Sequence, residues 1–422
     1  MSVFESFKRR LIRITLIVPM LLPYNFSIAE PIKKPFKRVL VMSGGGLNPG
    51  SFLGMIHGGL EMGWKPDLII TSCGSSLGSV LYNSDNSISD SFKVLQSHEV
   101  YSGFSSVQVN NAWVWDLLTV FDRAANRREI PNVFSDLILT VPQYFPIKLK
   151  NDKFLADENS TKILFVGSKS LFNKNDIGKT RSVIEPLFKV VYFTDSSTAK
   201  LLDGYKIQPH HAFPYSNVVA DVDVKSDFST LDAYRASIAD PFLLEPFEKD
   251  GEFYFTGAVD LYPIKLAQDL GEEVIATYPQ QLYTKYEVAA IEGGFAFSQN
   301  VRALEAIQNE NISWIDVYGL DALSFNPQVS GLQMVTAVPI KESDFRWKAF
   351  LQWDFGRNRI KEALNAPKYS SAHLRRPISK KLYKDFSCKN AFTWKTPENE
   401  FCESDTSPGC NRNSAVYCIP LR

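Results

Sequence analysis

The sequence carries no excess of charge of either sign. Lys and Arg together number 46, and Asp and Glu together number 46, which gives a formal net charge of zero. Proteins that bind nucleic acid through bulk charge carry an excess of basic residues. The composition therefore argues against a nucleic-acid partner of that kind, although it leaves local basic patches open.

Histidine is scarce, with five residues in a chain of 422, and none of them has the spacing of a metal site. His57 lies in a helical pattern and is expected to be packed. In a Ser-His-Asp triad built on a strand-turn-helix elbow, the histidine follows the acid in the sequence. Only His373, in the polar tail, satisfies that order. The sequence implies no metal and no cofactor.

Long apolar stretches are absent after the first thirty residues. Residues 1–29 start with a basic segment and end in Ser27-Ile28-Ala29, which has the small residues of a signal-peptidase site. The uncharged stretch from Ile14 to Ala29 is short for a membrane anchor, the alternative interpretation, because a span needs about 20 apolar residues. The pattern predicts a cleaved signal peptide over 1–29 and a protein that is exported, either periplasmic or secreted.

Cysteine is nearly absent before the C-terminal region. Four of the five cysteines lie in the last 35 residues: Cys388, Cys402, Cys410 and Cys418. An even, clustered set in an exported chain predicts two disulfides, with three connectivities open. A zinc site is the alternative, but no C-x-x-C motif is present. The remaining cysteine, Cys73, is expected to be a small buried hydrophobe.

Short apolar runs alternate with helical patterns along the chain. The helical patterns lie at 51–63 and 344–365. The runs that predict strands are RVLVM (38–42), DLIITS (67–72), KILFVG (162–167), VVYFTD (190–195), EEVIATY (272–278) and ISWIDVYG (312–319). Uninterrupted apolar runs are typical of strands buried on both faces, so the sequence predicts an α/β fold with a mostly parallel sheet.

Two regions differ in composition from the rest. Residues 84–160 are rich in Ser, Asn and aromatic residues and are interpreted as an insertion or lid. From residue 366 the chain turns polar and basic, then Cys-containing, which predicts a C-terminal extension over 366–422. Its segment 373–386 mixes basic and aromatic residues, so it could lie on an anionic membrane, but a solvated tail is the favoured interpretation.

The stretch TSCGSSLGSV (71–80) contains a G-x-S-x-G motif centred on Ser76. It follows a predicted strand and opens a predicted helix, which is the context of a nucleophile elbow. Gly74 and Gly78 would allow the tight turn and the close helix packing. A small-residue loop is the alternative, because the motif alone is a weak signal.

A glycine-rich segment, MSGGGLNPG (42–50), follows the first predicted strand. Consecutive glycines let backbone N–H groups converge on an anion. A dinucleotide fingerprint is disfavoured because Pro49 displaces its third glycine, and GKT at 178–180 lacks the first glycine of a phosphate loop. The segment therefore predicts an oxyanion hole, formed by the N–H groups of Gly45, Gly46 and Leu77.

These motifs together resemble the patatin-like phospholipases. That family has a glycine-rich oxyanion loop, matched by Gly44 to Gly46, and a G-x-S-x-G elbow, matched at Ser76. The segment 234–277 is similar to the family's region around its catalytic Asp. The resemblance covers roughly 37–365 and implies a three-layer fold, a serine nucleophile that works with an Asp, and hydrolysis of lipid acyl esters at a membrane surface.

The resemblance has departures. The glycine loop is one residue longer than the family's and lacks its usual Arg, and the D-G-G/A motif appears as Thr256-Gly257-Ala258. A threonine hydroxyl cannot act as a base near neutral pH, so Asp260 is expected to take that role. Two alternatives remain open: Asp260 is a helix-capping carboxylate, or the chain is a catalytically degenerate patatin fold that binds lipid or a protein partner.

Overall fold

The computed structural model describes most of the chain between 34 and 378. The described residues are 34–44, 46–85, 87–109, 129–135, 137–180, 186–207, 217–279, 282, 289–295, 298–325 and 340–378, together with 392–393 and 416–417. The chain divides into a unit from Met1 to Pro35 and a unit from Phe36 to Arg422. The predicted signal peptide and the four C-terminal cysteines lie outside the described residues.

The described elements all belong to the second unit. Its strands are β1 (Phe36–Met42), β2 (Leu68–Ser72), β3 (Gln108–Val109), β4 (Leu139–Thr140), β5 (Lys162–Ser170), β6 (Phe188–Phe193), β7 (Val218–Lys225), β8 (Phe247–Lys249), β9 (Glu252–Phe255), β10 (Gly271–Thr277), β11 (Ile312–Ile315), β12 (Phe392–Thr393) and β13 (Val416–Tyr417). Its α-helices are α1 (Pro49–Glu61), α2 (Ser76–Asp85), α3 (Ile88–Leu95), α4 (His98–Ser105), α5 (Ser196–Leu201), α6 (Thr230–Ser237), α7 (Ile264–Leu270), α8 (Ala289–Phe295), α9 (Gln299–Gln308) and α10 (Glu342–Asn365).

The main sheet has the strand order β11-β10-β1-β2-β5-β6-β7. The pairs from β11 to β5 are parallel, as is β6 with β7, whereas β5 and β6 are antiparallel. Strand β9 adds to β5, and β8 to β9, both antiparallel. Because parallel strands share one direction, the carboxyl ends of β1 and β2 lie at the same edge of the sheet, next to each other.

The sheet separates two hydrophobic cores. Val39 and Val41 of β1 face the first core, with apolar residues of α7, α8 and α9. Leu40 and Met42 face the second core, with apolar residues of α1, α2 and α10. The sheet is therefore mostly parallel and covered by helices on both faces. This confirms the predicted α/β class.

The six predicted strands correspond to β1, β2, β5, β6, β10 and β11, and the helical pattern at 344–365 belongs to the single helix α10. In the described part of 84–160, the chain forms α3, α4 and the short pair of β3 with β4. The interpretation of this region as a lid stays a prediction, and so does the division of the chain near residue 366.

Helices α1 and α10 pack backbone against backbone. A Cβ atom at Gly54 would lie 2.1 Å from the carbonyl oxygen of Trp353, and one at Gly356 would lie 1.8 Å from that of Ser51. Neither position has room for a side chain. In addition, the buried Gln352 accepts a hydrogen bond of 3.1 Å from the N–H of Gly50.

His57 lies buried at the same interface. Trp353 Nε1 donates to His57 Nδ1 at 2.8 Å, so the other ring nitrogen, Nε2, carries the proton and donates to Ser91 Oγ at 3.0 Å. Burial lowers the pKa of His57 to about 4, and the nearby charge of Glu61 opposes that effect only in part. The ring is therefore neutral at physiological pH, and it packs in the helix as predicted.

Candidate active site

The turn between β2 and α2 has its left-handed residue at Cys73. Strand β2 ends at Ser72, Cys73 has a φ of 56°, and a short 3-10 turn from Cys73 to Ser75 leads into α2. A positive φ is uncommon and strained for a residue with a Cβ atom. The strand therefore reverses into the helix at Cys73, which is the backbone geometry of a nucleophile elbow.

Ser76 lies three residues further on, in regular helical conformation. Its φ is −61° and its ψ is −33°, it is fully buried, and its hydroxyl donates to Ser237 Oγ at 3.3 Å. In the segment 71–78 every residue is buried except Cys73, which is partly exposed. Within this segment, Cys73 is therefore the residue most exposed to solvent.

Cys73, expected to be a small buried hydrophobe, packs against the first core but is partly exposed. It also holds the strained position of the turn. A signal was present in the sequence, because Thr71 and Ser75 are small residues two positions before and after Cys73. A nucleophile elbow has the same spacing of small residues, but the G-x-S-x-G motif centred on Ser76 is the stronger signal in the sequence.

The glycine loop lies directly against this turn. Gly44 and Gly46 both have positive φ, at 65° and 46°. A Cβ atom at Gly74 would lie 2.2 Å from the carbonyl oxygen and 2.6 Å from the nitrogen of Gly46, and the N–H of Ser75 donates to the carbonyl of Gly44 at 2.6 Å. The loop and the residue after Cys73 are therefore in backbone contact.

Two of the three predicted oxyanion donors lie among the described residues. Gly45 lies outside the described residues. Gly46 is exposed beside the turn, and Leu77 is the second residue of α2. The backbone N–H of Gly74 also acts on the elbow, because its hydrogen bond lowers the pKa of the Cys73 thiol. The roles of Gly46 and Leu77 stay predictions.

The Thr-Gly-Ala motif packs against the same turn. The Thr256 hydroxyl accepts from the N–H of Ala258 at 3.1 Å and donates to the carbonyl of Ser237 at 3.2 Å. A Cβ atom at Gly257 would lie 2.8 Å from Ser237 Oγ, which in turn accepts from the N–H of Cys73 at 2.9 Å. The structure thus brings the elbow, the glycine loop and Thr256 together, with Ser237 between them.

Asp260 is held by an arginine. Its Oδ1 accepts from Arg302 Nη2 at 2.5 Å, while Arg302 Nη1 binds Glu305 at 3.0 Å. Burial lowers the pKa of the Arg302 guanidinium, but the charges of Asp260 and Glu305 outweigh that effect and raise it. Across the described residues, no hydrogen bond joins Asp260 to Ser76 or Cys73. The predicted base is therefore engaged in an ion pair in this structure.

A different carboxylate lies near the elbow. Asp240 follows α6, is 3% exposed, and its Oδ1 has no hydrogen-bond partner within the described part of the chain. Burial raises its pKa to about 6, and the Thr256 hydroxyl opposes that rise. Sequence analysis missed this residue, because nothing in the local sequence places residue 240 beside residue 256.

Asp240 and the Cys73 thiol interact electrostatically. Burial first, and then the negative charge of Asp240, raise the pKa of the thiol to about 12. The Thr256 hydroxyl and the Gly74 N–H act in the opposite direction on the same thiol. The free thiol is therefore neutral at pH 7, whereas the Asp240 carboxylate is mostly ionised.

Comparison with known proteins gives little. No family model matches the chain, and no curated protein matches it. Among solved structures, the chain is similar to VipD from Legionella pneumophila. The match has 13% sequence identity, covers 76% of this chain and 67% of that chain, and has a TM-score of 0.27. A likeness at that TM-score decides neither mechanism nor function.

The described residues hold neither a cluster of metal ligands nor a membrane-spanning helix. No group of three or more His, Cys, Asp or Glu side chains in these ranges could hold a metal ion. Of the helices described, none is both long enough and apolar enough to cross a membrane. The candidate site thus consists of the elbow, the glycine loop, Asp240 and the Thr256 turn.

Proposed function

We propose that the chain is a lipid acyl hydrolase that cleaves carboxylic esters through a covalent acyl-enzyme. One observation carries the proposal: the partly exposed, left-handed Cys73 follows β2 directly, and the next residue, Gly74, lies in backbone contact with the glycine loop that follows β1. A nucleophile on a strained strand-to-helix turn, beside converging N–H groups, is the arrangement that acyl transfer requires.

The geometry supports Cys73 as the nucleophile in place of the predicted Ser76. In this reaction the sulfur attacks the ester carbonyl carbon, the thiol proton passes to a base, and the carbonyl oxygen becomes an oxyanion held by backbone N–H groups. The alcohol leaves with a proton, and a thioester remains. Water then hydrolyses the thioester, which releases a carboxylic acid and restores the thiol.

The lipid substrate class is supported by the patatin-like motifs of the sequence. Phospholipids presented at a membrane surface are the proposed substrates, and the proposed products are a free fatty acid and a lysophospholipid. Export to the periplasm or the medium belongs to the same proposal, because it rests on the residues before Glu30.

The nucleophile can be identified with three variants. Hydrolysis of p-nitrophenyl butyrate and of phosphatidylcholine vesicles should be lost in Cys73→Ala and retained in Ser76→Ala. Ser76→Ala is the matched control, because it removes a buried hydroxyl from the same turn. Intact-mass spectrometry of the wild type with excess ester should show an acyl adduct that neutral hydroxylamine removes, as expected of a thioester.

Two outcomes would contradict this assignment. If Ser76→Ala is inactive while Cys73→Ala hydrolyses both esters, the nucleophile is Ser76, as the G-x-S-x-G motif predicts. If the wild type forms no adduct and hydrolyses neither ester, the chain is no acyl hydrolase. Lipid that copurifies with such an inert protein would support the alternative of a lipid-binding patatin fold, which the neutral Cys73 thiol and Thr256 favour.

A further inference from the structure

We propose that Asp240 is the general base of this site, in place of the acid that position 256 lacks. This inference rests on the proposed function, since it assigns the proton acceptor for the attacking Cys73 thiol. Nothing in the motifs of the sequence marks Asp240, and the proposal stands on where the fold brings it.

The position of Asp240 is fixed from two sides. The N–H of Thr256 donates to the carbonyl of Ala239 at 3.0 Å, which joins the end of β9 to the turn after α6. The carbonyl of Asp240 accepts from the N–H groups of Leu243 at 3.2 Å and Leu244 at 2.9 Å. With its backbone held in this way, the carboxylate stays next to residue 256.

The carboxylate is buried and has a free acceptor. Asp240 is 3% exposed, and its Oδ1 has no hydrogen-bond partner among the described residues. A buried carboxylate oxygen without a donor is uncommon in folded proteins. Cys73 is joined to the segment before Asp240, because its N–H donates to Ser237 Oγ at 2.9 Å, and its thiol carries a proton that such an oxygen can accept.

The groups that face Asp240 are few. Cys73, in the turn after β2, interacts with it electrostatically, and Thr256, at the end of β9, lowers its pKa through a hydrogen bond. Tyr234 of α6 interacts electrostatically with Cys73. No charged side chain of the described residues contributes to the pKa of Asp240, which burial raises to about 6. A base with a pKa close to the working pH is ionised and still accepts a proton effectively.

The proton balance is complete with Asp240 alone. Its carboxylate takes the Sγ proton as the sulfur bonds to the carbonyl carbon, and gives it to the alcohol oxygen as the C–O bond breaks. It then takes a proton from the water that attacks the thioester, and returns it to the sulfur as the C–S bond breaks. The Thr256 hydroxyl lowers the pKa of both groups.

The first experiment uses Asp240→Asn in the full chain, with Asp269→Asn as the matched control. Asp269 pairs with Lys265 on α7 and is 38% exposed, so the control removes a carboxylate from the surface. Loss of the base that accepts the thiol proton should lower kcat/KM for p-nitrophenyl butyrate by about 10²- to 10⁴-fold. The control should keep the wild-type value.

A second readout does not depend on turnover. The rate of Cys73 alkylation by iodoacetamide, followed against pH, reports the pKa of the thiol. Removing the charge of Asp240 should move that alkylation profile to lower pH, because the charge now raises the thiol pKa. A side chain with a merely structural role, distant from the thiol, would leave the profile unchanged.

The third experiment returns the acid to position 256. The double variant Asp240→Ala with Thr256→Asp should be at least tenfold more active than Asp240→Ala alone. If Asp240→Asn does not fold, Thr256→Val serves instead. Without the Thr256 hydroxyl the pKa of Asp240 should rise, so the acid limb of the kcat/KM profile should move to higher pH.

The outcomes separate the two proposals. An active wild type in which Asp240→Asn keeps full kcat/KM and an unshifted alkylation profile overturns the role of Asp240 and leaves the hydrolase intact. A wild type without turnover or adduct overturns the hydrolase, and the base role with it, even if the alkylation profile shifts. Loss of turnover together with the shifted profile supports both.

Discussion

Replacing Asp260 by Asn should damage the fold and spare the chemistry. Asp260 and Arg302 form a largely buried ion pair, with side chains 8% and 18% exposed, and Glu305 is the second partner of the arginine. Breaking a buried pair by removing one partner costs about 3–5 kcal/mol, because the remaining charge stays buried. Glu305 still neutralises part of that charge, so we expect a loss near the lower end, about 3 kcal/mol.

Urea unfolding of wild type, Asp260→Asn and the exposed control Asp269→Asn measures this loss. The midpoint should fall in Asp260→Asn and stay unchanged in the control, while the hydrolysis rate per folded molecule stays near that of the wild type. The opposite result is a stable protein that no longer hydrolyses ester. It would show that Asp260 is the base expected from the sequence and that its main role is not the ion pair with Arg302.

Three further predictions follow from the packing and the cysteines. Unfolded His57 takes up a proton below about pH 6.5, whereas folded His57 does so only below about pH 4. The free energy of unfolding should therefore fall by about 3 kcal/mol as the pH is lowered between those values, and this pH dependence should vanish in His57→Asn. Gly356→Ala should destabilise the fold by about 3 kcal/mol in urea unfolding, since its Cβ would lie 1.8 Å from the Ser51 oxygen. Titration of the unreduced, unfolded protein should find one thiol, Cys73; five would contradict the two disulfides predicted for the tail.

The strands could be predicted because the signal is local. An apolar run such as residues 67–72 needs burial on both faces, and only a covered central strand such as β2 provides it. The same reasoning located α1 and α10, whose apolar residues repeat at helical spacing. It did not reveal that the two helices touch through Gly54 and Gly356, because such a contact depends on residues about 300 positions apart.

The details of the site could be predicted only in part. A G-x-S-x-G motif fixes the spacing of small residues but not the residue at which φ becomes positive, and the strand ends early enough to place the turn at Cys73. The base could not be derived either. Asp260 is close to Thr256 in sequence but pairs with Arg302, whereas Asp240 comes to the turn through the hydrogen bond between Thr256 and Ala239.

Helix α10 anchors the glycine loop through hydrogen bonds, and this anchoring has a consequence during synthesis on the ribosome. Gln352 binds both the N–H of Gly50 and the carbonyl of Leu47, so the loop is anchored by a residue about 300 positions later. Contacts of such long sequence separation form late and slow folding. A nascent chain that has not yet emerged as far as Gln352 therefore has an elbow but no fixed loop beside it. Under the proposed function, the growing polypeptide would gain hydrolytic activity only after α10 has docked.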